Sequence, residues 1–139
     1  MNSALQDRCR HPDPAAIVLA QQALLRFGAG DFAAVVQLLA PRVEWHGPTP
    51  ANLDGTDETC TRRQVESFLS AFDSAMTVAG LTVGRWVSEE DTVVVLGRVR
   101  CQARADGAES SFEFAVSLTA EADLVDSCWL VAHRVGTSA

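Results

Sequence analysis

Two histidines, His133 and His46, are the side chains best suited to moving a proton near neutral pH, and they are the candidate catalytic residues. His133 alternates with Ser127, Trp129 and Val131, so a strand over 125–135 sets all four on one side. The apolar pair predicts that this side turns inward, where an imidazole acts as general acid or base. His46 ends a short run, Val43-Glu44-Trp45-His46; if it and Glu44 turn inward they make a second acid–base element, and the other reading is a solvated strand edge with His46 in the loop. Both have the opposite parity to Val43 and Trp45, which suit a core. Arg85 is a candidate inward cation if the strand from Leu81 to Val87 presents Val83 and Arg85 to the core. The other phase presents Gly84 and Trp86. Cys60 precedes a helix start, a position that favours a thiolate, but no histidine adjoins it in sequence. Asp54 and Asp57 read as turn and cap residues.

Other chemistries are absent from the start. The 139 residues include no lysine and no tyrosine, and all eleven basic residues are arginine. Schiff-base and pyridoxal chemistry need an amine, and a phosphate-binding loop needs its lysine. A net charge of −7, with arginines scattered among 18 carboxylates, argues against a nucleic-acid partner. No apolar run approaches the roughly 18 residues of a membrane span, and the first ten residues lack the apolar core of a signal peptide, so no membrane is expected and the compartment is read as cytoplasmic. Cys9, Cys60, Cys101 and Cys128 show no C-x-x-C spacing, so neither a metal site nor a disulfide framework is expected.

The elements that must position these residues follow from periodicity. Residues 1–12 form a polar arm, and the patterned region runs from 13 to 136. Asp13-Pro14 caps a first helix with Ile17, Ala20, Leu24 and Phe27 on one face, ended by Gly28 to Gly30. Asp31 caps a second, short helix through Leu39, stopped by Pro41. Gly47, Pro48, Pro50, Asn52 and Gly55 make a loop suited to the rim of a pocket. Thr61-Arg62-Arg63-Gln64 is a capping box opening a third helix, with Val65, Phe68, Leu69, Phe72 and Met76 on one face. Arg62 and Arg63 there oppose the helix dipole, which hints at a nearby acid such as Asp57 or Glu58, although an exposed helix start tolerates the charges and is the favoured reading. From Leu81 the period becomes two. A two-residue turn at Asp106-Gly107 sets Arg100 against Glu113 outside and Val99 against Phe114 inside. The inner face then holds Val95, Gly97, Val99, Cys101, Phe112, Phe114, Val116 and Leu118. The fold class is α+β, with three helices covering one face of a curved antiparallel sheet.

The order of these elements, with Gly30-Asp31-Phe32, Leu38-Leu39, Val43-Glu44-Trp45-His46 and a third helix introduced by Arg62-Arg63, resembles the SnoaL-like branch of the nuclear transport factor 2-like superfamily over about Pro14 to Gly136. The resemblance implies a cone with a pocket between helices and sheet. That fold hosts ketosteroid isomerases, polyketide cyclases, scytalone dehydratase, limonene epoxide hydrolase and plain association domains, so it does not settle function. The ketosteroid isomerase donors and acids fall near Ala23, Gly47 and Val116, none of which carries the required group, and the acid-Arg-acid set of limonene epoxide hydrolases is not evident. What the resemblance implies is a small hydrophobic metabolite held by Trp45, Phe68, Phe72, Trp86, Val99, Phe112, Phe114, Val116, Trp129 and Val131. No cofactor is expected, and any turnover would be isomerisation, cyclisation, dehydration or hydrolysis through His133 and His46. The competing expectation is a non-catalytic domain that homodimerises through the outer face of its sheet.

Overall fold

A computed structural model describes residues 13–48 and 56–138. The expected arm over 1–12 and the rim-loop residues 49–55, Asp54 among them, lie outside the described residues. Helix α1 (Pro14–Gly28) opens as expected: Asp13 is its cap and accepts from the Ala15 N–H, with Pro14 in the first turn. Gly30, at φ +76°, makes the left-handed step after the helix. Asp31 then caps α2 (Phe32–Val36) by accepting from Ala34 N–H. This helix is shorter than its apolar run. Leu39 begins strand β1 (Leu39–Gly47) instead of ending the helix. Pro41 cannot donate to a ladder, and it lies where the pairing of β1 is irregular, between Leu39 and Glu44.

Strand β2 (Thr56–Thr61) lies where the sequence suggested loop, so Asp57 is a strand residue paired with His46. Helix α3 (Arg62–Ala75) has the expected capping box between Thr61 and Gln64. The Arg62 guanidinium donates to Leu39 O, tying the helix start to the start of β1, while the side chains of Asp57 and Glu58 lie outside the described residues. The remaining strands are β3 (Met76–Glu89), β4 (Thr92–Ala103), β5 (Glu109–Glu121) and β6 (Leu124–Ser138). They form one six-stranded sheet in the order β2-β1-β6-β5-β4-β3. All neighbours are antiparallel except β1 and β6, which are parallel, so the sheet is mixed where a purely antiparallel one was expected.

Strand β3 begins five residues earlier than the period-two signal, which two irregularities interrupt, one between Val78 and Gly80 and one between Val83 and Arg85. Each inserts a residue and reverses the phase. The inner set is therefore Val78, Leu81, Val83 and Trp86, opposite Cys101, Val99, Gly97 and Val95. Neither of the two simple phases describes it. Val83 and Trp86 share a face because the extra residue Gly84 lies between them. Arg85 is exposed and pairs with Leu96 in the outward register.

The β4–β5 hairpin is shifted by two residues from the expected register: Arg98 faces Glu113, Val99 faces Phe112 and Gly97 faces Phe114. The turn is longer than two residues, with Ala103 N–H donating to Ala108 O and Asp106 accepting from Ala108 N–H. Arg104 is held by Asp73 at the end of α3, and its N–H donates to Ala75 O, which fixes where the strand stops. A shift of two preserves which face each residue occupies, so the expected inner and outer sets of β4 and β5 survive.

The core fills the space between α1, α2, α3 and the inner sheet face. Val43, Val93, Val95 and Val125 are fully buried, each worth roughly 1.5–3 kcal/mol of transfer free energy. Phe27, Phe32 and Phe72 join the three helices, with ring centroids 5.1–5.7 Å apart.

Candidate functional site

The inner face divides into a sealed part and a more open part. Towards the start of β1 the helices cover it, and Val93, Val95, Leu118 and Cys128 are buried. Towards the end of β1, around Pro48, the strand residues Phe112, Phe114, Val116 and Leu130 stay part-buried although they belong to central strands. Trp45 is 6% exposed there. Its ring centroid lies 5.9 Å from that of Phe68 on α3, and its indole N–H donates to Pro48 O at 2.9 Å. The rim loop thus starts from an indole anchored in the core. Phe114 lies over Gly97, where a side chain would collide with the ring and with Thr82 O. Val99 is nearly buried beside Phe112. Together these residues make an aromatic floor on the inner sheet face, short of the buried Cys101–Ser110 rung.

Of the expected lining, Trp45, Phe68, Val99, Phe112, Phe114 and Val116 belong to this floor. Phe72 is spent in the aromatic contact with Phe27 and Phe32. Trp86 packs on the core from the β3 edge and lines a separate groove of about 550 Å³ against α1, with Gln21, Gln22, Leu24, Leu25 and Leu81. No titratable side chain lines that groove.

Strand β6 corrects the sequence reading. Its inner residues are Cys128, Leu130, Ala132 and Arg134, which pair with Leu118, Val116, Phe114 and Phe112. Trp129, Val131 and His133 therefore stand on the outer face, and all three are exposed, Val131 by 68%. The apolar pair misled because it belongs to an outward apolar patch. The usable signal was the run Cys128, Leu130, Ala132, of one parity and with no polar member. That run leads to Arg134, which the sequence reading did not single out and whose guanidinium carbon sits 5.7 Å from the centroid of Phe112.

His46 also lies outside the floor, in the outward register of β1. Its imidazole stacks on Trp129 at 3.7 Å and hydrogen-bonds to Glu44 at 2.9 Å, and its side chain is only 14% exposed. His46 and Glu44 do meet, but on the opposite side of the sheet from the apolar floor, so they do not make an inward acid–base element. His133 pairs across from Glu113 on that same outer face.

Cys101 and Cys128 are poor nucleophiles. Burial pushes Cys101 up from its ordinary value and Cys128 up to about 12, so both remain protonated at neutral pH. Cys60 is 2% exposed. Asp126 is raised by burial, by its hydrogen bond with Glu121 and by the charges of Glu121 and Asp91, far from the floor at the β5–β6 turn. Among the described residues no group of three His, Cys, Asp or Glu side chains is arranged to hold a metal ion, and no helix is long and apolar enough to cross a membrane.

A family model described as the SnoaL-like domain matches residues 20–126. Among solved structures, an NTF2-like protein of unknown function from Burkholderia pseudomallei K96243 is similar at 20% identity and a TM-score of 0.68, over 88% of this chain and 92% of that one. A protein from Pseudomonas putida KT2440 provisionally designated a polyketide cyclase is similar at 15% identity and a TM-score of 0.67, over 84% and 90%. One from Rhodopseudomonas palustris provisionally designated an isomerase is similar at 7% identity and a TM-score of 0.69, over 86% and 90%. No curated protein matches the sequence.

Proposed function

Since the chain belongs to the SnoaL-like family, we propose that it binds a small hydrophobic metabolite on the aromatic floor of its inner sheet face. The observation that carries this reading is that Phe112, Phe114, Val116 and Leu130 remain part-buried on the inner face of central strands. Such side chains gain further burial only from something that settles over them. The ligand is a ring-containing molecule, because the walls are Trp45, Phe68 and Phe114 and aromatic faces pack best on one another. Binding without histidine catalysis suits this geometry best. Any turnover on the floor draws its proton-transfer group from elsewhere than His133 and His46, which lie across the sheet.

The test is native mass spectrometry of the purified chain for a co-purified molecule, followed by a thermal-shift screen of ring-containing metabolites. Saturation at a hundred times Kd adds about 2.7 kcal/mol to stability, a readily measured shift. Phe112→Glu removes that shift if the floor is the site, and an undiminished shift in a folded Phe112→Glu variant overturns the reading. His133→Ala leaves it unchanged.

A second reading concerns assembly. Leu96, Ala115 and Val131 align across three strands of the outer face, next to Trp129, and Leu96, Trp129 and Val131 are 40–68% exposed. Contiguous apolar exposure of this kind marks an interaction surface. It fits a homodimer formed through the outer sheet face. Light scattering on Val131→Glu reads this directly: a dimer in the parent chain and a monomer in the variant support it, and a monomeric parent chain overturns it.

A further inference from the structure

The inner register of β4, β5 and β6 carries a single charge. In the inner register of the three central strands, from Val93 to Cys101, from Ser110 to Leu118 and from Cys128 to Arg134, every residue is apolar, glycine or serine except Arg134. Arg134 stands opposite Phe112 and over its ring. It makes no ion pair among the described residues, although carboxylates outnumber arginines 18 to 11 in the sequence. By contrast, Arg98 on β4 points outward and meets Glu113 at 3.3 Å, and Arg104 meets Asp73 at 3.0 Å. A guanidinium resting over an aromatic ring gives up none of its N–H donors to that contact, and it offers a planar fork matched to a carboxylate.

We propose that Arg134 is an anion anchor and that the ligand of the floor is a ring-bearing monocarboxylate. The ring lies against Phe112 and Phe114, and the carboxylate takes the two-pronged hydrogen bond from Arg134. A single carboxylate is the anion of choice because the inner register supplies one cation and no second one, whereas a phosphate dianion calls for more than one. The proposal rests on the reading that the floor binds an apolar molecule, and it adds what the polar end of that molecule must be.

Matched acid and amide pairs test it, with the full chain titrated calorimetrically against benzoate and benzamide, then 2-naphthoate and 2-naphthamide. The acid of a pair should bind at least tenfold more tightly than its amide. Arg134→Gln should erase that preference while leaving amide binding in place, and Arg134→Lys should keep part of it. Phe112→Leu should weaken acid and amide alike. Equal binding of acid and amide to the parent chain, or an acid preference that survives Arg134→Gln, overturns the anchor while the floor reading stands. Failure of every pair to bind the parent chain overturns both. Arg134 is exposed, so its variants fold, and melting curves confirm that for each.

Discussion

Replacing Gly97 by alanine tests the register on which the floor depends. A Cβ built at this position lies 2.5 Å from Thr82 O on β3, 2.8 Å from Phe114 Cζ and 3.0 Å from Phe114 Cε2. Real Cβ contacts are ordinarily 3.4 Å or more, so the methyl group intrudes by nearly 1 Å on a carbonyl belonging to a paired strand. That carbonyl cannot swing aside as a side-chain tip can. Either β3 moves away at the Val83–Gly97 rung, next to its own irregularity, or Phe114 leaves its rotamer and the core contact it makes. Overpacking of this kind costs roughly 2–3 kcal/mol, which lowers the melting temperature by on the order of 10 °C for a chain of this length. Urea unfolding followed by tryptophan fluorescence gives the free-energy change. The partner Phe114→Leu relieves only the ring contact, so Gly97→Ala in that background should cost about 1 kcal/mol less than in the parent. Gly30→Ala is the control, since nothing lies within 4 Å of its Cβ and only the φ of +76° opposes it, a strain of about 1 kcal/mol. A Gly97→Ala protein within 0.5 kcal/mol of the parent would refute the packing of Phe114 over Gly97, and with it the register shift of the hairpin.

Three further outcomes follow from single residues. Asp126 has a buried Oδ1 without a partner, and its acidity is weakened by burial, by Glu121 and by Asp91. Its folded state therefore holds a proton more tightly than the unfolded chain does, so its contribution to stability is complete below the ordinary carboxyl value of 3.8 and is lost as pH rises through the raised one. Asp126→Asn should stabilise the protein at pH 7 and lose that advantage near pH 4; a gain independent of pH would exclude the ionised carboxylate as its source. Ala122 and Asp123 form the two-residue turn between β5 and β6 with φ of +52° and +64°, and neither is glycine or asparagine. Ala122→Asn should raise the urea midpoint, worth about 0.5–1 kcal/mol, and an unchanged midpoint would count against a left-handed residue 122. Cys101 and Cys128, raised by burial, should resist a thiol reagent in a Cys9→Ser background until the chain unfolds; prompt labelling of Cys128 in the native protein would contradict its placement.

What the sequence revealed depended on how far each signal reached. Local signals read true: Asp13, Asp31 and the Thr61–Gln64 box cap the three helices as the sequence indicates. Alternation on β4 and β5 also identified the correct inner face, because an error of two residues in the turn leaves parity intact. Strand β3 was illegible for the opposite reason. Its two irregularities reverse the phase twice, so no single alternation fits Val78, Leu81, Val83 and Trp86. Strand β2 escaped notice because Thr56-Asp57-Glu58-Thr59 has no apolar alternation, and its pairing with β1 is a non-local fact. The second helix stopped early because burying Leu39 in the sheet outweighed the helical spacing of Leu38 and Leu39.

The parity of β6 decides the function assigned to the molecule. Read with Trp129, Val131 and His133 inward, the strand suggests an enzyme built around a buried imidazole. Read as it pairs, the same strand turns Leu130 and Arg134 towards the floor and the imidazole towards the outer face. The two phases are chemically opposite: one offers an imidazole, the other a guanidinium. A permanent cation at the end of an apolar floor is suited to hold a charged ligand in one orientation, and no described inner-register residue of β4 to β6 provides a proton acceptor of comparable strength. Outside, His46 rests between Glu44 and Trp129, its ring stacked on an indole that is 51% exposed. Burying that indole against a second copy would also bury the imidazole and its carboxylate partner. In the proposed dimer, a variant of either residue should alter assembly before it alters what the floor binds.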